Sequence, residues 1–257
     1  MWLSDPTTDR RFDVATATVP ETMHAPPFTM AFQPIVDMAS RTIFAQEALV
    51  RGTAGGTAAE VFARVHPGNL HAFDLACRQR AIAFAAELCF RSRLSINLMP
   101  NAACQPSLGI EATLIAADAA GFPVERIIFE VTEGELVQDR LQLRDTVRAF
   151  QSRGFQTAID DFGAGHSGLN LLADILPDLI KLDMGLVRGV HRDRGRRAII
   201  RGVSAFCRDL GIALIAEGIE ERDEWLTLQD LGVHLFQGHL FGAPALESFT
   251  VPHFPLK

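Results

Sequence analysis

The sequence predicts a single α/β barrel, and three observations carry that reading. Helix-like and strand-like segments alternate from residue 28 onward, the strands are short and apolar, and a polar residue stands at the carboxyl end of most of them. Alternation alone means a largely parallel sheet with helical crossovers, which an open doubly wound sheet satisfies as well. The polar residues separate the two. Asn97, Glu130, Asp160, Lys181, Glu217 and Gln237 stand at or just beyond the ends of six predicted strands. A closed barrel brings all such ends to one mouth, whereas an open sheet gathers only those beside its switch point. The glycine-poor turn after Val36 also lacks a dinucleotide-binding fingerprint.

Residues 1–26 are polar, carry Pro6, Pro20 and Pro26, with Pro27 next to them, and show no sustained period, which reads as a tail or arm; residues 27–257 read as one barrel domain. Phe28–Val36 and Arg41–Val50 read as strands joined by a turn at Asp37–Ser40, and so as a hairpin. The glycine-rich segment Gly52–Gly56 leads to a short helix near Ala58–Ala63. A helix over His71–Phe90 places Phe73, Cys77, Ala81, Phe84 and Leu88 on one side and is followed by the strand Arg93–Asn97. The helix Ile110–Ala120 stops at Gly121 before the strand Arg126–Val131, and a helix striped by Leu143, Val147 and Phe150 precedes the strand Phe155–Asp160. Leu179–Leu182 is the next strand. Ile199, Val203, Phe206 and Leu210 mark a helix before the strand Ile212–Ala216, and the helix Trp225–Leu231 before the strand Val233–Gln237.

Composition narrows the function classes. A chain of 257 residues with 48% hydrophobic content can bury one large core. No run of 18 apolar residues occurs and no basic-then-apolar leader opens the chain, so a cytoplasmic protein without a membrane span is expected. A formal charge of −7 argues against a DNA or RNA surface, but not against a phosphorylated small ligand, because divalent cations invert the local sign of a carboxylate cluster. Cys77, Cys89, Cys104 and Cys207 form no CxxC pair and are expected as buried, reduced thiols.

The acidic strand ends carry the chemistry. Asn97, Glu130 and the adjacent pair Asp160–Asp161 present oxygen ligands, and neighbouring carboxylates repel unless cations or partners compensate. Hard oxygen donors suit magnesium or manganese, and no His/Cys set has the spacing of a zinc site. Glu47 lies inside an apolar strand and needs a partner, either a metal or Arg51 four residues on. Lys181 and Asp183 point to one face; the lysine suits a phosphoryl oxygen, a nucleophilic water or a neighbouring acid. Glu217 and Glu220 bracket Gly218–Ile219, and Gln237–Gly238 ends the last strand. The loop from Asp160 to Gly168 is glycine-punctuated and suited to close over a ligand. His166, in that loop, and His239, after Gln237–Gly238, fall toward the mouth, whereas His66, His71, His191 and His234 have no spacing that selects them, and no histidine is expected to be essential.

At these residues the chain resembles the EAL domains, over about Phe32 to Pro244. The resemblance is carried by Phe32-Gln33-Pro34-Ile35-Val36, Glu47-Ala48-Leu49-Val50-Arg51, Ser95-Ile96-Asn97, Glu130-Val131-Thr132-Glu133, Asp160-Asp161-Phe162-Gly163, Lys181-Leu182-Asp183, Ala216-Glu217-Gly218-Ile219-Glu220 and Gln237-Gly238, in that order. It implies a modified triosephosphate-isomerase-type (β/α)8 barrel whose first strand is antiparallel, and a phosphodiesterase opening cyclic di-GMP to linear pGpG by in-line attack of water. Two Mg2+ or Mn2+ ions and no organic cofactor are implied, with Glu47, Asn97, Glu130, Asp160, Asp161 and Glu217 as metal ligands. Lys181, Glu217, Asp161 and Glu133 take catalytic roles by the same resemblance, Glu133 by anchoring the loop that begins at Asp160. Gln33, Leu49, Arg51, Asp183, Glu220 and Gln237 face or support the substrate. A homodimer and an upstream sensor domain or protein are the implied partners.

The short segment after Arg51 and the run Asp160–Leu172 look most like EAL domains attached to blue-light-sensing flavin modules, although the chain has no room for such a module. Gly52 stands where the family often has tryptophan, and His239 where it has tyrosine. The alternatives are a receptor that binds cyclic di-GMP without hydrolysis and a sugar-phosphate barrel enzyme; the second has no need of the acidic set.

Overall fold

The computed structural model describes residues 26–99, 106–132, 140–165, 172 and 175–256. The strands β1 (Phe28–Asp37) and β2 (Thr42–Gly52) open it, followed by helices α1 (Ala58–Phe62) and α2 (Leu70–Glu87). Then come β3 (Arg93–Asn97), α3 (Pro106–Ala120), β4 (Ile127–Thr132), α4 (Arg140–Ser152), β5 (Gln156–Phe162) and β6 (Leu179–Leu182). The chain continues through α5 (Met184–Val187), α6 (Arg194–Leu210), β7 (Ala213–Ala216), α7 (Arg222–Asp230), β8 (Leu235–Gln237) and a two-residue strand β9 (Ala245–Leu246).

Strands β1 to β8 close on themselves, β1 pairing with both β2 and β8. The pairs from β2–β3 to β7–β8 are parallel, while β1 is antiparallel to both neighbours. The expected barrel with a reversed first strand is therefore present. In the hairpin turn, Asp37 Oδ1 accepts from Ala39 N at 2.8 Å and Arg41 takes a positive φ of 57°. β8 covers only Ile35–Asp37 of β1; β9 pairs with Ala31 and Phe32 and extends that edge toward the mouth.

The helices are set by local chemistry. Thr57 and Glu60 make a capping box at α1. Asp193 caps α6 by accepting from Gly195 N and Arg196 N, and Gly211 ends that helix in the left-handed conformation at φ 71°. The helical faces and the outward side of the strands make the larger core, in which Phe129, Phe150 and Phe155 form a three-ring cluster with centroids 4.4 to 5.6 Å apart.

A second, smaller core fills the barrel: Ile35, Ala45, Ile128, Ala158, Leu179, Ile215 and Leu235. Side chains of a strand alternate between its faces, so the inward residue next toward the mouth lies two positions on. From this plug that step reaches Gln33, Glu47, Glu130, Asp160, Lys181, Glu217 and Gln237. Because β1 runs the other way, its step is from Ile35 back to Gln33. β3 supplies Ser95 and Asn97 to the same face.

Most predicted elements lie where expected, with ends shifted by a few residues. The sequence reading missed α5 and β9, both too short to show a period. One cysteine expectation is corrected: Cys77 and Cys207 are buried, but Cys89 is exposed, because α2 stops at Glu87 and Cys89 sits beyond it with φ 54°. Cys104 lies outside the described residues.

Phe129 is fully buried at the centre of its ring cluster. Phe129→Ala is expected to lower unfolding free energy by about 3–5 kcal/mol, measured by urea denaturation; a loss under about 1 kcal/mol would show that the cluster contributes little.

Candidate active site

Strand periodicity places the polar ring on the apolar plug, and the ring is densely connected. Lys181, 1% exposed, is its hub: its Nζ lies 2.5 Å from Glu217 Oε1, 2.9 Å from Glu130 Oε2, 3.2 Å from Asp160 Oδ1 and 3.4 Å from Glu47 Oε2. Around it, Asn97 Nδ2 donates to Glu47 Oε1 at 3.0 Å, and Gln237 Nε2 donates to Glu47 Oε2 at 2.6 Å and to Gln33 Oε1 at 3.2 Å. Gln33 Nε2 donates to the Gly242 carbonyl at 3.1 Å, and Ser95 Oγ donates to Glu130 Oε1 at 2.6 Å.

One ammonium faces four carboxylates, and the proton affinities register the imbalance. Burial and the charge of Glu47 push Glu130 well above the usual carboxylate range, against Lys181. Burial, with Asp160 and Glu47, pushes Glu217 up to about 8 despite Lys181. Burial also opposes ionisation of Glu47, but Lys181 and the hydrogen bonds from Gln237 and Asn97 outweigh it and leave its pKa lowered. Lys181 goes the other way: burial disfavours its charge, yet Asp160, Glu130, Glu217 and Glu47 together hold its pKa well above the ordinary value. At Asp161 burial, Asp160 and Asp183 act together and raise the pKa.

The donor set fits divalent cations. Asp160, Asp161 and Glu217 each bring a carboxylate oxygen to within 4.8 Å of the others. Gln237 Oε1 is buried without a hydrogen-bond partner, and Glu130 Oε2 and Glu217 Oε1 have the one ammonium of Lys181 as their contact. Inward-facing oxygens that lack a donor or share a single ammonium, in a site with excess negative charge, are what a hard cation satisfies. Asp161 adopts φ 54°, which turns its side chain to the exposed side of the strand end beside buried Asp160.

A cleft of about 480 Å3 opens over this ring, lined among others by Glu47, Leu49, Asn97, Asp160, Asp161 and Asp74. Its wall was partly missed: Asp74 is buried, salt-bridged to Arg78 at 2.9 Å, and carries no motif signal beyond an α-helical position. Ser95 was quoted in a motif without a role; only the paired strands reveal its bond to Glu130. Arg51 does not pair with Glu47 and donates instead to the Val50 carbonyl at 2.8 Å. Asp183 caps α5 by accepting from Gly185 N at 2.8 Å, and Glu220 is bound through both oxygens by Arg188. Glu133 and His166 lie outside the described residues. Gly238 has a structural duty: a Cβ there would sit 2.2 Å from Ile219 O, so glycine lets β8 clasp the 217–220 loop through Ile219 N to Gln237 O at 3.0 Å.

A closed α/β barrel with an oxygen-rich, lysine-centred mouth is the class that fold and site define. The EAL domain family model matches residues 16–244, and the chain belongs to that family. The match begins inside the stretch read as a tail. The chain is 32% identical over 228 residues to the blue light- and temperature-regulated antirepressor BluF of Escherichia coli K12, covering 88% of this chain and 57% of BluF. It superposes on the cyclic-di-GMP-bound form of a standalone EAL protein of Vibrio cholerae O395 with a TM-score of 0.84 and 46% identity, covering 88% of this chain and 95% of that one. The manganese and cyclic-di-GMP complex of Klebsiella pneumoniae BlrP1 gives 0.83 and 38%, covering 89% and 58%. The chain thus spans little more than half of BluF and BlrP1. No helix among the described residues is long and apolar enough to cross a membrane.

Two outcomes follow from this geometry. Ser95→Ala leaves Glu130 less well oriented and is expected to weaken Mn2+ affinity by about 10–100-fold, read by calorimetric titration; unchanged affinity would exclude Ser95 from the support of the ring. With Glu217 pushed up to about 8 and Glu130 also raised, protons compete with a cation near neutral pH, so Mn2+ affinity should rise as the pH increases through 8. Titrations at pH 7 in buffers of different ionisation enthalpy should show proton release, and identical heats would contradict it.

Proposed function

We propose that the chain is a metal-dependent phosphodiesterase that opens cyclic di-GMP to linear pGpG. The observation that carries this reading is the mouth itself: Lys181 contacts Glu47, Glu130, Asp160 and Glu217, each from a different strand or strand end. The Vibrio cholerae and BlrP1 structures hold cyclic di-GMP, and the latter manganese as well, which supports a dinucleotide over the cleft.

Glu47, Asn97, Glu130, Asp160, Asp161 and Glu217 would hold two Mg2+ or Mn2+ ions. When bound, such ions supply Lewis-acid stabilisation of the phosphoryl oxygens and a water acidic enough to attack near neutral pH. The remaining work falls to the chain. Lys181, held centrally by its four acids, offers N–H donors to the attacking water and to the negative charge that grows on the phosphoryl group. Asp161 stands at the cleft wall beside Asp160, where its carboxylate can accept a hydrogen bond from that water and orient it. Asn97, Gln237 and Gln33 lock Glu47 in one orientation, and Ser95 does the same for Glu130. Leu49 and Arg51 share the inward face of β2 with Glu47 and extend toward the dinucleotide. Asp183 and Glu220 shape the rim beyond β6 and β7, and by the family resemblance Glu133 would anchor the loop that begins at Asp160.

The same reading has the chain working as a homodimer in the cytoplasm under an upstream sensor. Just over half of light-regulated BluF is covered, which leaves room in that relative for an input module.

Product chromatography of the chain incubated with cyclic di-GMP and Mg2+ or Mn2+ should show pGpG, and EDTA should abolish it. Lys181→Met should lower kcat by about 10²–10³-fold with metal still bound. Tight binding of cyclic di-GMP with no product under any divalent cation would transfer the protein to the receptor class.

A further inference from the structure

Away from the barrel mouth, the 3-10 turn Val190–Arg192 packs against the start of α7. His191, Glu221 and Glu224 meet there, each bringing one ligand atom to within 4.8 Å of the others. The His191 side chain is 13% exposed, and both of its ring nitrogens are buried without a hydrogen-bond partner. Its nearest acid atom, Glu221 Oε2, stands 3.7 Å from Nε2, beyond hydrogen-bond reach. A neutral imidazole has one N–H to donate and one nitrogen to accept, so burying both unmet is unfavourable. An ion pair with Glu221 would serve Nε2 and leave Nδ1 orphaned.

The two carboxylates are unequally held, as suits a binding site with an entrance. Glu224 is buried; its Oε1 accepts from Gly189 N at 2.9 Å and its Oε2 from Glu220 N at 3.3 Å and Glu221 N at 3.2 Å. Those bonds fix it in place, and a carboxylate with about four acceptor positions retains room for a metal. The Glu221 side chain is 58% exposed and takes part in the capping box at the start of α7, so one of its oxygens faces the helix while the carboxylate stays open to solvent on the His191 side.

We propose that His191, Glu221 and Glu224 form a second metal site, separate from the barrel mouth and selective for a borderline transition-metal ion, best matched by Zn2+. One imidazole nitrogen with two carboxylates, and positions left for water, is a zinc-type donor set. Mg2+ and Ca2+, which take oxygen ligands, gain little from the histidine. The site joins the segment after β6, which carries Lys181, to the segment after Glu217, and Arg188–Glu220 already bridges the same two segments. Occupancy would brace two sides of the mouth without entering it.

The test is zinc titration by calorimetry, with Co2+ absorption as a spectroscopic check, in an Asp160→Asn/Asp161→Asn background that weakens cation binding at the mouth. One zinc per chain should bind there. Adding His191→Ala or Glu221→Gln should weaken it about 100-fold and remove the cobalt d–d bands, and either substitution alone in the otherwise native chain should leave Mg2+-dependent turnover in place. Should His191→Ala fail to fold, Glu221→Gln at its exposed position carries the comparison. Absence of zinc binding in the double-Asn background, or equal binding with and without His191→Ala or Glu221→Gln, overturns the proposal. Neither result depends on whether cyclic di-GMP is hydrolysed.

Discussion

The buried ammonium of Lys181 is the interaction on which the mouth of this barrel depends. Four carboxylates converge within 3.4 Å of its Nζ, and a charge that deep is tolerable only because its partners are buried with it. One positive charge does not balance four negative ones. The deficit appears as raised proton affinity at Glu130 and Glu217, and it makes the site an acceptor for divalent cations. The lysine thus supplies part of the missing charge and holds the acids together around one centre.

What permits such a cluster is the layer beneath it. Seven inward apolar residues seal the barrel, and a two-residue step along each of their strands reaches a functional side chain. The plug excludes water from below, while pleating alone sets the spacing of the ring above. A single-residue register slip in any strand would exchange a ring member for a residue of the outer core.

Much of this was legible in the sequence. A polar residue closing an apolar strand is a local signal, and the closed barrel is its simplest explanation; Asn97, Glu130, Asp160, Lys181, Glu217 and Gln237 do meet. Glu47 was legible as a charge that needed a partner, but which partner was not, since Arg51 is near in sequence while Asn97, Lys181 and Gln237 are near only in space. Ser95 and Asp74 escaped for a related reason: a small hydroxyl in a strand and an acid in a helix have commonplace explanations until a pairing register or a salt bridge is seen. β9 is two residues long and has no period to detect. His191 and Glu221 come together through the packing of a turn on a helix start, which no periodicity encodes.

The reversal of β1 has a mechanical consequence. In an all-parallel barrel the chain enters at the floor, a full strand length from the chemistry. Here Phe28 pairs with Gly52 at the rim, and five residues later the same strand delivers Gln33 to the network that orients Glu47. The end at which the chain enters the barrel is therefore also the end that carries the polar ring, and one hydrogen-bonded strand joins the two with no helix or loop between them.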